Sequence, residues 1–390
     1  MRRIRFLINF FSITLLLHFY LGARLLPALG LDATGMHTGI VLLVLLYACL
    51  LLGLPGRVMA LRRVADPMAW IGMMALGLFS SLFVLTVLRD LSLIAIWSAG
   101  ALLHAATLYP DWRHASAVAA PLLAVLLTGI GFLNARRRAR VVEVEVPIAG
   151  LPAALEGFTI AQISDLHVGP TIKRKYIDAI VDAVNALQAD MIAVTGDVVD
   201  GKVPDLRNHT QPLARLSARH GSFFVTGNHE YYSGAADWIQ EFRRLGLTVL
   251  LNEHVILEHD RAELLVAGVT DYTAGSFDPE QRSDPARALA GAPDHVTVKL
   301  LLAHQPRSAP AAASAGYTLQ LSGHTHGGQF LPWNFFVRFQ QPFLAGLERL
   351  GSLWVYTSRG TGYWGPPKRL GAPSEITHLR LIAAPVAPAA

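Results

Sequence analysis

The sequence predicts two parts, an all-α membrane-spanning bundle and then an α/β domain in which short strands alternate with helices. Long apolar runs, confined to the first third of the chain, predict the bundle. Of the 390 residues, 52% are hydrophobic and 16% are charged, whereas a soluble domain usually carries about 25% charged residues. Short β-rich runs with helical patterns between them predict the second part. We expect the bundle at 1–140, a connector with a first strand at 141–157, and the α/β domain at 158–390.

Four apolar segments are long enough to cross a membrane as helices, which takes about 20 residues. They are Phe6–Leu26, Thr38–Leu54, Met68–Leu88 and Ser116–Leu133. A fifth run, Leu91–Leu108, follows Arg89 and Asp90 without a loop. We interpret this run as a continuation of the third helix or an interfacial segment, with a fifth span as the alternative. We interpret Arg89 and Asp90 as a structural or interfacial pair rather than part of a substrate or ion path.

Arginine placement predicts the side of the membrane on which the second part lies. The arginines at the N-terminus, between the second and third spans and after the fourth are Arg2, Arg3, Arg5, Arg57, Arg62, Arg63, Arg136, Arg137, Arg138 and Arg140. The opposite loops hold Arg24, Arg113 and, in one interpretation, Arg89. Because cytoplasmic loops carry the excess of basic residues, we expect a multi-pass protein of the inner membrane with its C-terminal domain in the cytoplasm. A fifth span would reverse this side.

Charge and cysteine content exclude several classes of function. Residues 1–150 carry thirteen basic and six acidic residues, whereas residues 151–390 carry twenty and twenty-two. The pI of about 9.4 therefore reflects arginines near the membrane, and we expect no nucleic-acid partner. Because Cys49 is the single cysteine, neither a disulfide within the chain nor a thiolate metal site can form.

The second part begins with an alternating apolar and acidic segment, Val141–Pro147, which is typical of a half-buried strand. Further strands are predicted at Phe158–Ile163, Met191–Val194, Phe223–Val225, Leu264–Val269, Val296–Leu302 and Leu319–Leu321. Apolar residues at helical spacing predict one helix from Tyr176 to Leu187 and another from Trp238 to Leu245. This order favours an open α/β sheet covered by helices.

Short polar motifs follow five of these strands. They are Asp165-Leu166-His167, Gly196-Asp197, Gly227-Asn228-His229-Glu230, Ala303-His304 and Gly323-His324-Thr325-His326-Gly327-Gly328. Each motif alone is more simply explained as a turn, a cap or a buried histidine, and the paired imidazoles of His324 and His326 are the strongest single signal. Because ligands bind at the carboxyl ends of strands in such sheets, the set together predicts a metal site.

The series D-x-H, G-D-x-x-D, G-N-H-E, H and G-H-x-H resembles the calcineurin-like metallophosphoesterases from about Phe158 to Leu381. The bundle and the segments 358–362 and 373–377 are similar to the membrane-anchored branch of that family. The resemblance implies a four-layer β-sandwich with flanking helices, which competes with the single open sheet. The sequence departs from the family pattern at one position. The family often has glycine directly after the D-x-H motif, whereas here Val168 stands between that motif and Gly169.

The resemblance also implies a catalytic site that holds two divalent metal ions, with manganese expected and iron or zinc as alternatives. One ion would be held by Asp165, His167, Asp197 and His326, and the second by Asp197, Asn228, His304 and His324. Asp197 would bridge the two ions. His229 would act on the leaving group, and Glu230 and Asp200 would orient the histidines. Asp271 is a weaker candidate of the same kind, and a turn cap explains it equally well.

We therefore expect a membrane-anchored phosphoesterase that hydrolyses a phosphodiester or pyrophosphate bond. The bilayer partner suggests a lipid-linked phosphate substrate, and resemblance to pyrophosphatases of lipid A synthesis makes UDP-2,3-diacylglucosamine the specific expectation. The alternatives are a generic phosphodiesterase acting on small or phospholipid substrates, and a transporter or sensor with a regulatory phosphoesterase-like domain. An aromatic stretch from Phe330 to Phe343 is either a loop packed on the sheet or a membrane-facing lid that admits acyl chains.

Overall fold

The computed structural model describes residues 2–53, 62–103 and 108–384, and at 2–7, 62, 103 and 108 it describes the backbone alone. Arg57 and His104 lie outside the described residues, and so do the side chains of Arg2, Arg3, Arg5 and Arg62. The chain forms two compact units. The first comprises Met1–Asn134 and Gly365–Lys368, and the second comprises Ala135–Trp364 and Arg369–Ala390.

The first unit is helical. Its long helices are α1 (Arg2–Leu25), α2 (Ala33–Leu52), α3 (Arg62–Leu103) and α4 (Leu108–Arg136). Within the described residues, four helices are long and apolar enough to cross a membrane, by length and composition. Helix α3 is continuous through Arg89 and Asp90 as far as Leu103. This confirms that the run after Asp90 continues the third helix.

Arg89 and Asp90 join three helices of the first unit. The Asp90 carboxylate accepts hydrogen bonds from Tyr20 Oη and Arg24 Nε on α1, both at 2.7 Å, and from Arg89 Nη1 at 3.0 Å. Arg89 Nη2 donates to the carbonyl of Arg113 on α4 at 3.0 Å. Because partly buried charges are stable when paired and hydrogen-bonded, this arrangement agrees with a structural role for the pair.

The second unit contains two six-stranded mixed sheets. The first sheet has the order β1 (Arg140–Ile148), β12 (Glu375–Ala383), β2 (Thr159–Ile163), β3 (Met191–Val194), β4 (Ser222–Phe224) and β5 (Thr248–Val249). The second has the order β10 (Gly346–Leu350), β11 (Leu353–Thr357), β9 (Leu319–Ser322), β8 (Val298–Leu302), β7 (Ala262–Gly268) and β6 (Glu253–His259). Its helices are α5 (Arg174–Ala186), α6 (Val203–Thr210), α7 (Asn228–Ser233), α8 (Ala235–Arg244), α9 (Ala309–Ala315) and α10 (Trp333–Val337).

The two sheets pack face to face. Ile160 and Phe223 of the first sheet share one buried cluster with Val266 and Leu300 of the second. The outer face of the first sheet buries the apolar sides of α5 and α8, and the outer face of the second buries α9. The single open sheet is therefore wrong, and the four-layer sandwich is confirmed. A strand that is buried on both faces is a continuous apolar run, whether it belongs to a single open sheet or to one sheet of a sandwich. The sequence pattern therefore does not show which strands pair.

The candidate site lies at the carboxyl ends of parallel strands in both sheets. Strands β2, β3 and β4 are parallel to one another, as are β7, β8 and β9. The five motifs follow β2, β3, β4, β8 and β9 within a few residues, as the sequence predicts. Two sheets thus contribute polar side chains to one edge of the sandwich.

Candidate metal centre

Three groups of histidine and carboxylate side chains converge at this edge. The groups are Asp165, His167 and His326; His167, Asp197 and His229; and Asp197, His304 and His324. Within each group the potential ligand atoms lie within 4.8 Å of one another. The groups contain six of the seven ligands that the resemblance implies, together with His229. Because His167 and Asp197 each belong to two groups, the three form one continuous cluster.

The first group converges through imidazole Nε2 atoms. His326 Nε2 lies 3.0 Å from His167 Nε2 and 3.5 Å from Asp165 Oδ1. His167 Nε2 lies 3.9 Å from Asp197 Oδ2. Two ring nitrogens and two carboxylates therefore face the same small volume, which is the arrangement of a metal site with mixed nitrogen and oxygen ligands.

The other end of the cluster is centred on the same carboxylate. His304 Nε2 lies 3.1 Å from Asp197 Oδ2, and His324 Nδ1 lies 3.2 Å from His304 Nε2. The other ring nitrogen of His304, Nδ1, lies 2.8 Å from the carbonyl oxygen of Thr195. That carbonyl can only accept, so Nδ1 carries a proton, and Nε2 is the ring nitrogen that faces the cluster.

Asn228 is the seventh implied ligand, and its side chain fits that role. The residue is buried, and its Oδ1 atom has no hydrogen-bond partner in the described structure. A buried acceptor without a partner costs about 1–3 kcal/mol, so it indicates a group that a bound cation satisfies. This orphaned oxygen, with the His304 ring nitrogen that faces the cluster, shows that the donor set fits a metal ion.

Five of the implied ligands have a left-handed backbone conformation. Their φ angles lie between 50° and 70°, and the residues are Asp165, His167, Asp197, His324 and His326. For a residue with a Cβ this region costs about 1–2 kcal/mol. Backbone strain concentrated at one side-chain cluster is typical of a functional site.

Two glycines allow the motifs to approach one another closely. A Cβ atom on Gly227 would overlap the Asp197 carboxylate, and one on Gly323 would overlap the Asp165 carboxylate and the Ser164 hydroxyl. The motifs therefore need glycine at these two positions because a larger side chain would overlap the ligands. This requirement adds to the turns that the sequence indicates.

Glu230 fixes the loops that carry Asp197 and Asn228. Its buried carboxylate accepts hydrogen bonds from the backbone N–H groups of Asp197 at 3.0 Å, Val198 at 2.8 Å and Gly227 at 2.7 Å. Burial and the nearby Asp197 carboxylate raise the pKa of Glu230 to about 8. Glu230 thus connects two ligand loops through their backbones, whereas the sequence suggested that it orients a histidine.

Asp200 contacts two imidazoles at once. Its Oδ1 atom lies 3.2 Å from Nδ1 of His167 and 2.5 Å from Nδ1 of His229. Burial opposes the charged carboxylate, but the two imidazoles outweigh it and lower the pKa of Asp200. Burial likewise opposes the imidazolium of His229, but Asp197 and Asp200 outweigh it and raise the pKa of His229 to about 9. The structure thus brings Asp200 against two histidines, as its proposed orienting role requires.

Sequence patterns missed Arg369. Its buried guanidinium places Nη2 3.0 Å from His326 Nδ1, and Nη1 donates to the carbonyls of His326 at 2.9 Å and Arg359 at 2.7 Å. Burial lowers the pKa of Arg369 to about 10. No motif marks this arginine, because it reaches His326 from 43 positions along the chain. Asp271 is buried and caps a turn by accepting from Thr273 N at 2.8 Å, and its carboxylate also accepts from Gln305 Nε2 at 3.0 Å.

Comparisons with known proteins agree with this geometry. A family model described as calcineurin-like phosphoesterase matches residues 158–328. A transmembrane protein with metallophosphoesterase domain from Bos taurus is 40% identical over 287 residues, which are 68% of this chain and 63% of the bovine protein. An uncharacterized metallophosphoesterase from Helicobacter pylori strain J99 is 36% identical over 257 residues, covering 65% of this chain and 66% of that protein.

A third relative is covered more fully. An uncharacterized metallophosphoesterase from Campylobacter jejuni is 34% identical over 267 residues, which are 67% of this chain and 68% of that protein. The matched part of this chain thus spans slightly less than two thirds of the bovine and Helicobacter relatives and slightly more than two thirds of the Campylobacter one. The motif series, the two-sheet sandwich and these relatives lead to one conclusion: the chain belongs to the calcineurin-like metallophosphoesterase family, whose members bind two metal ions.

Proposed function

We propose that this protein is a membrane-anchored phosphoesterase that uses two divalent metal ions to hydrolyse a phosphodiester or pyrophosphate bond. The observation that carries the proposal is the central position of Asp197. Its Oδ2 atom lies 3.1 Å from His304 Nε2 on one side and 3.9 Å from His167 Nε2 on the other. One carboxylate facing two separate sets of imidazoles is the arrangement needed to bridge two ions.

The ligand assignment follows the three groups. Asp165, His167, His326 and Asp197 would hold one ion, and Asp197, His304, His324 and Asn228 would hold the other. Imidazole, carboxylate and amide ligands together suit manganese, iron or zinc better than calcium or magnesium, which prefer oxygen ligands alone. We propose manganese as the first metal to test.

The metal ions would neutralise the phosphate oxygens and lower the pKa of a water molecule, so that it can attack phosphorus near neutral pH. The protein positions its own groups around that reaction. His229 Nε2 lies 3.9 Å from Asp197 Oδ2, so this nitrogen faces the cluster while Asp200 holds Nδ1. We propose that His229 donates a proton or a hydrogen bond to the leaving oxygen, a role that typically contributes about 10²–10⁴-fold to the rate.

A transporter or sensor with a regulatory phosphoesterase-like domain is the alternative from another class. Such a domain would be free to lose metal ligands or the catalytic imidazole. Six of the seven implied ligands converge at one edge of the sandwich, the buried Asn228 Oδ1 has no partner in the described structure, and Asp200 contacts Nδ1 of His229. The complete set favours an enzyme.

A lipid-linked substrate is the finer part of the proposal, and the aromatic segment 330–343 supports it. Helix α10 and its flanks expose Leu331, Trp333, Phe335, Phe336 and Phe339. A group of exposed apolar side chains of this kind marks a contact surface for an apolar partner. In a chain with four apolar helices of membrane-spanning length, we propose that this partner is the bilayer surface and the acyl part of the substrate.

The same segment is attached to the metal-binding motif. A Cβ atom on Gly328 would overlap the backbone of Asn334 in α10, so the helix lies directly against the end of the motif. On the other side, Thr325 Oγ1 donates to the carbonyl of Leu344 at 2.6 Å. A lipid contact at this segment would therefore lie beside His324 and His326.

For the substrate itself we propose the pyrophosphate bond of a lipid-linked nucleotide sugar, with UDP-2,3-diacylglucosamine as the first compound to test. A phospholipid or small phosphodiester is the alternative substrate of the same site. Depletion of the protein followed by lipid analysis distinguishes them. Accumulation of the diacylated nucleotide sugar supports the first, and accumulation of a phospholipid supports the second.

We further propose that the catalytic domain lies in the cytoplasm, at the inner membrane. The support is the excess of arginine at the N-terminus and after α4. A C-terminal reporter that is active only in the cytoplasm should be active, whereas one that is active only outside the inner membrane should be silent. The opposite result would place the domain on the other side.

The reaction is tested with bis(4-nitrophenyl) phosphate and Mn²⁺, using the full-length protein in detergent. We expect hydrolysis by the wild-type protein that chelation abolishes, and loss of that hydrolysis in Asp197→Ala. Unchanged hydrolysis after Asp197→Ala would refute the two-metal mechanism. Asp237→Ala, which changes an exposed carboxylate on α8, is the matched control.

A further inference from the structure

Three exposed aromatic side chains lie at His229 or next to it. Tyr232 and Trp364 each pack edge-on against the His229 ring, with centroid distances of 5.2 Å and 5.6 Å. Phe277 packs on the Tyr232 ring in turn, with a centroid distance of 5.7 Å. We refer to Tyr232, Phe277 and Trp364 as the aromatic rim.

The elements that build the catalytic site also hold the aromatic rim. Tyr232 lies three positions after His229 on α7, so the two side chains share one helix face. Gln329, next to the metal-binding motif, accepts from Trp364 N at 2.8 Å and donates to Trp364 O at 2.9 Å. Phe277 packs on Tyr231 with a centroid distance of 5.5 Å.

The rim residues remain half-exposed even though they are held in place. Tyr232 is 63% exposed, Phe277 51% and Trp364 46%. Single exposed aromatic residues are common on protein surfaces and need no explanation. Three grouped around one imidazole are different, because two of them contact the His229 ring directly and the third extends the apolar surface beyond Tyr232. They add no charge and no metal-ligand atom to the site.

We propose that the aromatic rim is a substrate subsite that binds an extended apolar group carried by the leaving alcohol. The inference rests on the proposed function, in which His229 acts on the leaving oxygen. The phosphate would lie at the metal cluster, so the group attached to the leaving oxygen must extend past His229. The first side chains on that path are Tyr232 and Trp364, and the next is Phe277. The enzyme would thus prefer phosphodiesters with an aromatic or acyl-bearing leaving group to those with a small polar one.

The test compares two methyl phosphodiesters whose leaving groups have similar acidity, one a phenol and the other a fluorinated alcohol. Because the two leaving groups have similar acidity, their intrinsic reactivity is similar. The ratio of kcat/KM for the phenyl ester to kcat/KM for the fluoroalkyl ester therefore reports binding of the apolar ring. The full-length protein in detergent with Mn²⁺ is assayed as wild type and as Tyr232→Ala, Phe277→Ala and Trp364→Ala. We expect Tyr232→Ala and Trp364→Ala, the two substitutions beside His229, each to lower the ratio about tenfold, mainly by raising KM for the aryl substrate. A tenfold change corresponds to about 1.4 kcal/mol of binding free energy.

Two sets of controls separate binding from a general loss of structure. Tyr232→Phe and Trp364→Phe keep a ring and should retain the wild-type ratio. Tyr272→Ala removes an exposed aromatic side chain that packs on Arg307 instead of His229 and should leave the ratio unchanged. A ratio that stays within twofold in all three rim variants, with hydrolysis of both substrates intact, would overturn the subsite alone. Failure of the wild-type protein to hydrolyse either ester would overturn the proposed function and the subsite with it.

A second pair of substrates identifies the source of the apolar group. A diacylglyceryl phosphodiester and its deacylated glyceryl counterpart are compared in mixed micelles. If the rim variants also lose preference for the acylated ester, the subsite binds acyl chains. If they lose preference for the aryl ester alone, it binds a flat ring. Either result supports the subsite, and loss of neither preference overturns it.

Discussion

Asp200 Oδ1 lies 2.5 Å from Nδ1 of His229, the imidazole that we propose acts on the leaving group. The same oxygen lies 3.2 Å from Nδ1 of His167, an implied metal ligand. One carboxylate thus fixes the ring that would act on the leaving group relative to a ring that would hold a metal ion. Since Nδ1 is engaged in both rings, both Nε2 atoms are directed into the cluster.

We expect Asp200→Asn to reduce kcat by about 10–100-fold, the usual cost of losing a residue that orients a metal-site histidine. The loss should be larger for an alkyl leaving group than for 4-nitrophenol, because 4-nitrophenolate departs without a proton. The measurement is kcat for two diesters that differ in leaving-group acidity, with Asp237→Asn as the control. Equal losses on both would show that Asp200 does not act through His229.

We expect Asn228→Ala to weaken binding of one of the two metal ions, because the buried Asn228 Oδ1 atom has no other partner in the described structure. The bound metal per chain after dialysis against dilute Mn²⁺ should fall from about two toward one. Asn185→Ala is the matched control, since its amide donates to Arg215 O at 2.7 Å, away from the cluster. Retention of two tightly bound ions in Asn228→Ala would remove this residue from the ligand set.

We expect Gly328→Ala to destabilise the second unit by about 1–3 kcal/mol more than Gly316→Ala. Both glycines have a left-handed φ, 78° and 84°, so both substitutions carry the same backbone penalty. Only at position 328 would the new Cβ overlap Asn334, whereas at 316 nothing lies within 4 Å. Thermal unfolding of each variant measures the difference. Equal melting temperatures would show that α10 does not pack against the motif.

We expect replacement of both Phe335 and Phe336 by Ser to raise KM for a lipid substrate about tenfold or more while changing KM for bis(4-nitrophenyl) phosphate little. These side chains are exposed, so their loss removes apolar contact with a lipid and not core packing. Turnover of both substrates by the same preparation is the measurement, with Tyr272→Ser as an exposed control. Equal losses on both substrates would refute the lipid contact at this segment.

The sequence predicted the motifs and the strands before them well, because a strand followed by a polar motif is a local pattern. Strand β3 has the predicted bounds, Met191–Val194, and the chain continues as one helix after Asp90, as predicted. The pairing of strands into two sheets was not predictable from periodicity. Residues that contact only after folding leave no such pattern.

Several parts of the site depend on contacts between distant residues, and these were missed. The carbonyl of Thr195 fixes the ring of His304 from 109 positions away, and a carbonyl carries no side-chain signal. Trp364 reaches His229 from a loop whose sequence carries none of the five polar motifs. Glu230 was singled out correctly but for a different contact, since it binds backbone N–H groups instead of a histidine.

The bridging role of Asp197 is tested most directly by counting metal ions on the purified protein. Wild-type protein equilibrated with Mn²⁺ should bind two ions per chain, and His229→Ala should still bind two. Asp197→Ala should lose high-affinity binding of both ions, because Asp197 faces both sets of imidazoles. Two tightly bound ions in Asp197→Ala would contradict the bridged two-metal centre.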